Sequence, residues 1–109
     1  MTAYLDEYSD YEIWMGLMES LDQAFLARQG LGGTGPREWG DRFFTALDHL
    51  YPSWPEQGRD VYLAAAQLIY HFAHSRAETF TCRLMDQKPE SLVRLAVMLL
   101  RNNLLPVHF

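Results

Sequence analysis

Apolar residues recur at spacings of three and four along most of this 109-residue chain, and this periodicity limits what the chain can fold into. Such spacing aligns apolar side chains on one face of a helix. Two segments rich in glycine and proline, GLGGTGP at 30–36 and PSWPEQG at 52–58, interrupt the pattern and indicate turns. The sequence therefore predicts several amphipathic helices joined by short connections.

The first predicted helix has a clear end but an ambiguous beginning. Ser9 with Glu12 three residues later forms a capping-box pattern, which predicts a helix start near Ser9, and Gly30 supplies the stop. Four further residues either extend this helix backwards or lie over a neighbouring element, namely Tyr4, Leu5, Tyr8 and Tyr11; helix propensities leave both open. The predicted apolar face comprises Ile13, Trp14, Leu17, Met18, Leu21, Phe25 and Leu26.

The middle of the chain predicts two further helices. The second has Pro36 in its first turn and closes before Pro52. Its apolar face comprises Trp39, Phe43, Phe44, Leu47, Leu50 and Tyr51. The third runs from Asp60, as N-cap, to about Ser75, and is apolar on nearly every face between Val61 and Tyr70, which is typical of a helix surrounded by others.

The C-terminal third of the sequence predicts a last helix after Pro89 and, before it, a stretch that suits either a helix or a short strand. The stretch 77–86 favours a helix, although 79–82 also suits a short strand. Pro89 then opens a last helix that ends near Asn102 and Asn103, since asparagine tolerates the left-handed turn. Its predicted inward residues are Leu92, Leu95, Ala96, Met98 and Leu99, with Arg94 and Arg101 outward.

These segments predict an all-α fold, a compact bundle of four to five helices around a central apolar helix at about 60–75. The length fits a single domain over 1–109. Composition agrees, because 49% hydrophobic and 21% charged residues are ordinary values for a chain that buries a core.

Charge and cysteine usage restrict the function classes. The net charge of -5 argues against direct nucleic-acid binding, which requires a concentrated basic face. Cys82 is alone, so no intramolecular disulfide forms, and a cytoplasmic location is the default expectation. The acidic start does not resemble a secretory signal, and no apolar run reaches the roughly 18 residues of a membrane span. Six acids precede the first base, Arg28: Asp6, Glu7, Asp10, Glu12, Glu19 and Asp22.

Three patterns resemble chemical sites, and each has a simpler interpretation. The glycines at 30, 32, 33 and 35 match G-x-G-x-x-G, but a helix precedes them where a dinucleotide site needs a strand, so they predict a flexible linker. His71, His74 and Glu78 share a helical arc, yet three ligands from one helix rarely complete a metal site. Cys82 lacks a paired base and suggests a small buried residue. We expect no catalytic, cofactor or metal site.

The remaining unusual features predict an interaction surface. Aromatic residues alternate with acids near the N-terminus, and tyrosine and tryptophan often anchor interfaces. The tail is apolar to its last residue, where termini are usually polar. The candidate partner-binding residues are Tyr4, Tyr8, Tyr11, Trp14, Leu104, Leu105 and Phe109. In the alternative interpretation, the tyrosines cover their own core, the acids are solvated and the tail folds back onto the bundle.

These observations together predict a small non-enzymatic protein-binding regulator. It would be an inhibitor, anti-activator or immunity-type protein that masks a basic or apolar surface on another protein. The alternative is a self-associating structural subunit, with a homodimer as the commonest form.

Overall fold

The described residues of this protein fold into four packed helices. The computed structural model describes residues 2–54, 58–74 and 88–104, with side chains from residue 11 onward. The helices are α1 (Thr2–Arg28), α2 (Glu38–Leu50), α3 (Gly58–His74) and α4 (Pro89–Arg101), and the described residues contain no strand. The predicted all-α bundle is confirmed. The stretch 77–86, for which helix and strand were both considered, lies outside the described residues.

The four helices form a ring around one core. α1 packs against α2 and α3, and α4 packs against the same two helices, so α1 and α4 occupy opposite corners. Among the described side chains, α3 contributes more buried residues than the other helices, although its main contacts are with α1 and α4 only. The largest fully buried side chains are Trp14, Phe43, Leu21, Leu47, Ile69, Leu92, Val61, Val93 and Val97.

The first helix is longer than its capping-box pattern predicted. α1 begins at Thr2, so Ser9 lies within the helix and is not its N-cap. The tyrosine-containing segment thus extends the helix backwards, which was one of the two possibilities. The C-terminal end agrees with prediction: Gly30 has φ 72°, and the Leu31 N–H donates to the Leu26 carbonyl oxygen at 2.8 Å. This geometry is a Schellman ending, in which glycine relieves the strain of the left-handed turn.

The glycine-rich loop is a packed connection, not the flexible linker that its composition predicted. Gly33 has φ 76°, and a Cβ atom there would collide with the Gln23 carbonyl oxygen and lie 2.6 Å from the Ala27 nitrogen. The Gly35 N–H donates to Gln23 Oε1 at 3.0 Å, and Arg37 donates to the Gly33 carbonyl oxygen at 2.7 Å. Glycine at 33 therefore allows the loop to lie against α1.

A free backbone N–H group in the first turn of α2 finds its hydrogen-bond acceptor on another helix. Its N-cap, Arg37, makes no side-chain capping bond, and Pro36 lies before the helix and not in its first turn as predicted. The buried Ser20 hydroxyl of α1 instead accepts the Gly40 N–H at 2.8 Å. A Cβ atom at Gly40 would meet the Ser20 carbonyl oxygen and lie 2.7 Å from Ala24 Cβ. Gly40 thus permits the close crossing that lets α1 cap α2.

The last two helices correct details of the predicted boundaries and faces. α3 begins at Gly58, so Asp60 lies in the first turn and is not the N-cap. Pro89 opens α4 as predicted, and Asn103 takes the left-handed turn with φ 54°. Met98, predicted inward, is 49% exposed, because α4 instead buries Val93 and Val97 alongside Leu92 and Ala96.

Candidate protein-interaction surface

An exposed aromatic cluster lies where α1 meets the C-terminal part of α3. The imidazole of His74 lies beside two tyrosine rings, with its centroid 5.4 Å from that of Tyr11 and 4.3 Å from that of Tyr70. Tyr11 is 45% exposed and Tyr70 57%, and His74 is exposed as well. We name Tyr11, Tyr70 and His74 the aromatic patch. Rings that touch one another while facing solvent form a preorganised apolar surface with polar edges, as partner-binding sites use.

The aromatic patch includes one predicted binding residue and excludes another. Tyr11 is part of the patch, whereas Trp14 is fully buried and packs against Phe72 with ring centroids 5.0 Å apart. Trp14 therefore presents no surface to a partner in this fold. Its indole N–H is buried and has no hydrogen-bond partner among the described residues. Tyr4 and Tyr8 lie on α1, but their side chains are outside the described residues.

The C-terminal tail is described only at its beginning. Leu104 is 66% exposed, and its N–H donates to the Leu99 carbonyl oxygen at 2.9 Å, which closes the end of α4. The predicted partner-binding residues Leu105 and Phe109 lie outside the described residues.

In one interpretation of the sequence the acids of α1 are all solvated, but Asp22 makes a contact between helices. Asp22 accepts a hydrogen bond from the Tyr62 hydroxyl at 2.6 Å, and the Tyr62 ring stacks on Phe25 with centroids 4.1 Å apart. Burial raises the pKa of Tyr62 well above its ordinary value of 10.0, and the hydrogen bond and charge of Asp22 raise it further. This group links α1 to α3 and serves packing. Glu12 and Glu19, in contrast, are exposed.

In the described part of the chain, the basic side chains lie mainly outside the acidic N-terminal half of α1. Arg28 forms a two-pronged ion pair with Asp48 of α2 at 2.7 and 3.2 Å and lies over the Phe44 ring. At the end of α4, Arg101 lies over Tyr51, 5.2 Å from its ring centroid, and over Trp54 at 5.8 Å. Arg28 and Arg101 are therefore held against aromatic rings and, for Arg28, against a carboxylate of α2.

The described residues line an open groove and contain no metal-binding group of side chains. An open groove of about 370 Å³ lies between α2 and α4, lined by Arg42, Thr45, Ala46, His49, Leu50 and Glu90. Within it Arg42 pairs with Glu90 at 3.7 Å, and its charged groups are exposed or half-buried. No described group of three His, Cys, Asp or Glu residues could hold a metal. Of the His71, His74 and Glu78 set, Glu78 lies outside the description, as do Cys82 and its surroundings.

None of the four described helices is long and apolar enough to cross a bilayer. Comparison with protein-family models, curated proteins and solved structures finds no match to this chain. Its function must therefore be inferred from its own surface.

Sequence reasoning did not find two of the three members of the aromatic patch. Tyr70 belongs to the apolar run that predicted a helix surrounded by others, and His74 was interpreted as an ordinary surface or hydrogen-bonded histidine, with a pH sensor or metal ligand as the alternative. The contact of His74 with Tyr11 joins residues 63 positions apart, so no local pattern could indicate it. The available signal was the i, i+4 spacing of Tyr70 and His74, which places both on one face of α3.

Proposed function

We propose that this chain is a small non-enzymatic protein that binds another protein and masks a surface on it. The aromatic patch supports this most directly, because two tyrosines and a histidine from separate helices lie in contact on the outside of the bundle. Tyr11 and Tyr70 remain exposed after folding, so their rings are available to a partner. Tyrosine is enriched among the residues that contribute most to binding energy.

The charge of α1 indicates the chemistry of the partner. Six acids precede Arg28, and Glu12 follows Tyr11 directly. A basic partner surface would gain attraction from these carboxylates and cation–π contact from the tyrosine rings. Complementary charge mainly accelerates association and rejects wrong partners, while the rings supply binding energy. The proposed partner is therefore a protein that presents lysine or arginine around an apolar contact.

The test compares patch variants with a control of the same chemistry. The tagged full chain and a Tyr11→Ser/Tyr70→Ser variant are used to capture binding proteins from the source cells, and each captured protein is then titrated in purified form. Truncating two central contacts of about 2 kcal/mol each should weaken binding at least 100-fold. The control is Ile13→Ser/Leu31→Ser, which removes two exposed apolar side chains, 42% and 71% exposed, from outside the patch.

The outcomes distinguish binding through the aromatic patch from nonspecific hydrophobic binding. Binding that is lost in the patch variant, retained in the control and weakened by raising NaCl from 50 to 500 mM supports the proposal. A partner that binds the patch variant and the wild type equally would contradict it, as would the absence of any partner that binds the wild type. Circular dichroism of both variants checks that the fold is retained.

A further inference from the structure

The outer face of α1 carries a regular stripe of two acids separated by a glycine. Glu12, Gly16 and Glu19 are all exposed and stand at i, i+4 and i+7, so they lie along one side of the helix over about 10.5 Å. Neither carboxylate forms an ion pair with another described residue. A Cβ atom at Gly16 would meet no atom within 4 Å, so the centre of the stripe is an open notch. We name these three residues the acidic stripe.

The outer face of α4 carries the opposite charges at the same spacing. Arg94, Met98 and Arg101 are exposed and also stand at i, i+4 and i+7. Met98 is 49% exposed at the centre, where a flexible apolar side chain projects between two positive charges. We name these residues the basic stripe. Neither arginine forms an ion pair within the described part of the chain, and Arg101 lies over aromatic rings.

We infer that the acidic stripe of one molecule binds the basic stripe of a second copy. Two helices laid face to face with this spacing bring both acids opposite both arginines, whichever way the helices run. Met98 then lies over the notch at Gly16, where no side chain obstructs it. Close approach at a glycine with a larger residue opposite is a common way for helices to pack. The charge, the spacing and the steric fit agree on the same pairing.

The positions of the two stripes define the symmetry of the contact. α1 and α4 occupy opposite corners of the ring, so their outer faces point away from one another. One pair of molecules therefore cannot make both contacts at once, as a two-fold dimer would require. The contact is head-to-tail, and it adds further molecules into a chain or a ring. This differs from a closed homodimer, the commonest form of the self-associating subunit that was the alternative prediction, and it does not depend on the proposed partner.

The size of the contact indicates its strength. About two turns of each helix cover much less than the roughly 800 Å² per partner of a standard interface. Two ion pairs at the edge are exposed and screened by salt. We therefore expect reversible association at high micromolar concentration or above, which disappears as ionic strength rises.

The experiment is a charge exchange followed by sedimentation velocity at 20 and 500 mM NaCl, up to 1 mM protein. Wild type should show a mean mass that rises with concentration beyond that of two chains at low salt. Glu12→Lys/Glu19→Lys and Arg94→Glu/Arg101→Glu should each raise the apparent dissociation constant at least tenfold. Mixing the two variants should restore association, because each then carries the charges that complement the other.

Controls remove the effects of net charge and of folding. Glu38→Lys/Asp60→Lys changes the net charge as the acidic-stripe variant does, but at exposed positions on α2 and α3, and should associate like the wild type. Because Arg101 lies over Tyr51 and Trp54, Arg94→Glu alone is the second basic-stripe variant, compared with Arg59→Glu. A wild type that stays monomeric at 1 mM in low salt would overturn the inference. So would a closed dimer, equal loss in the controls, or a mixture that fails to associate.

Discussion

Replacing Gly40 by alanine should destabilise the protein, although the same replacement at Gly16 should stabilise it. Both glycines lie in helices, where alanine is favoured by about 0.5–1 kcal/mol. At Gly16 nothing lies within 4 Å of the added Cβ atom, so this gain is realised. At Gly40 the Cβ atom meets the Ser20 carbonyl oxygen and lies 2.7 Å from Ala24 Cβ. The main obstructing atom belongs to the backbone of α1 and cannot rotate away.

The expected magnitude follows from the contacts that must move. Separating α1 from α2 enough to admit a methyl group costs about 1–3 kcal/mol, as overpacking usually does. The buried Ser20–Gly40 hydrogen bond, 2.8 Å long, weakens as well, by about 0.5–1.5 kcal/mol. After the helix-propensity gain is subtracted, Gly40→Ala should lose about 1–3 kcal/mol of unfolding free energy.

Urea unfolding followed by circular dichroism measures both variants against wild type. The two should differ by roughly 2–4 kcal/mol, which corresponds to a separation of about 8–16 °C in melting temperature for a domain of this size. Both variants replace a helical glycine by alanine, so helix propensity cannot explain why one loses stability and the other gains it. If Gly40→Ala is as stable as Gly16→Ala, the close crossing of α1 and α2 is wrong, and with it the account of how α2 is capped.

Two further predictions concern buried polar groups. Because the pKa of Tyr62 is raised in the folded state, its stabilising contribution is complete below about pH 10, the ordinary tyrosine pKa, and declines as pH rises above it. Tyr62→Phe should therefore be less stable than wild type at pH 7. Between pH 9.5 and 11.5 it should lose less unfolding free energy than wild type does, as measured by urea unfolding at each pH. Equal losses over that interval would contradict the contact with Asp22. Trp14→Phe removes an unpartnered buried N–H along with part of the ring, so it should lose less than about 1.5 kcal/mol, whereas Trp14→Ala should lose about 3–5 kcal/mol. Thermal and urea unfolding check this, and a large loss in Trp14→Phe would show that the indole N–H has a partner.

Local sequence signals predicted which segments are helical more accurately than they predicted the residues at which the helices begin. Gly30 and Asn103 end their helices as expected, because the left-handed turn after a helix depends on one residue. The predicted start of α2 was wrong and that of α1 was left open between two possibilities, because their determinants are not local. α1 continues through Ser9 despite its capping box, and α2 obtains its cap from Ser20, twenty residues upstream of the N–H that it accepts.

The exposed faces depend on where each helix lies in the ring, which no single segment encodes. A helix at a corner of a four-helix ring has two main neighbours, so one side remains free whatever its residues are. The apolar run of α3 suggested that the helix is enclosed, yet Tyr70 lies on the free side and is 57% exposed. The same geometry exposes Met98 on α4 and the notch at Gly16 on α1. Apolar residues or gaps at such positions are not explained by packing within the chain, and this is why the aromatic patch and the two stripes are the places where binding is to be sought.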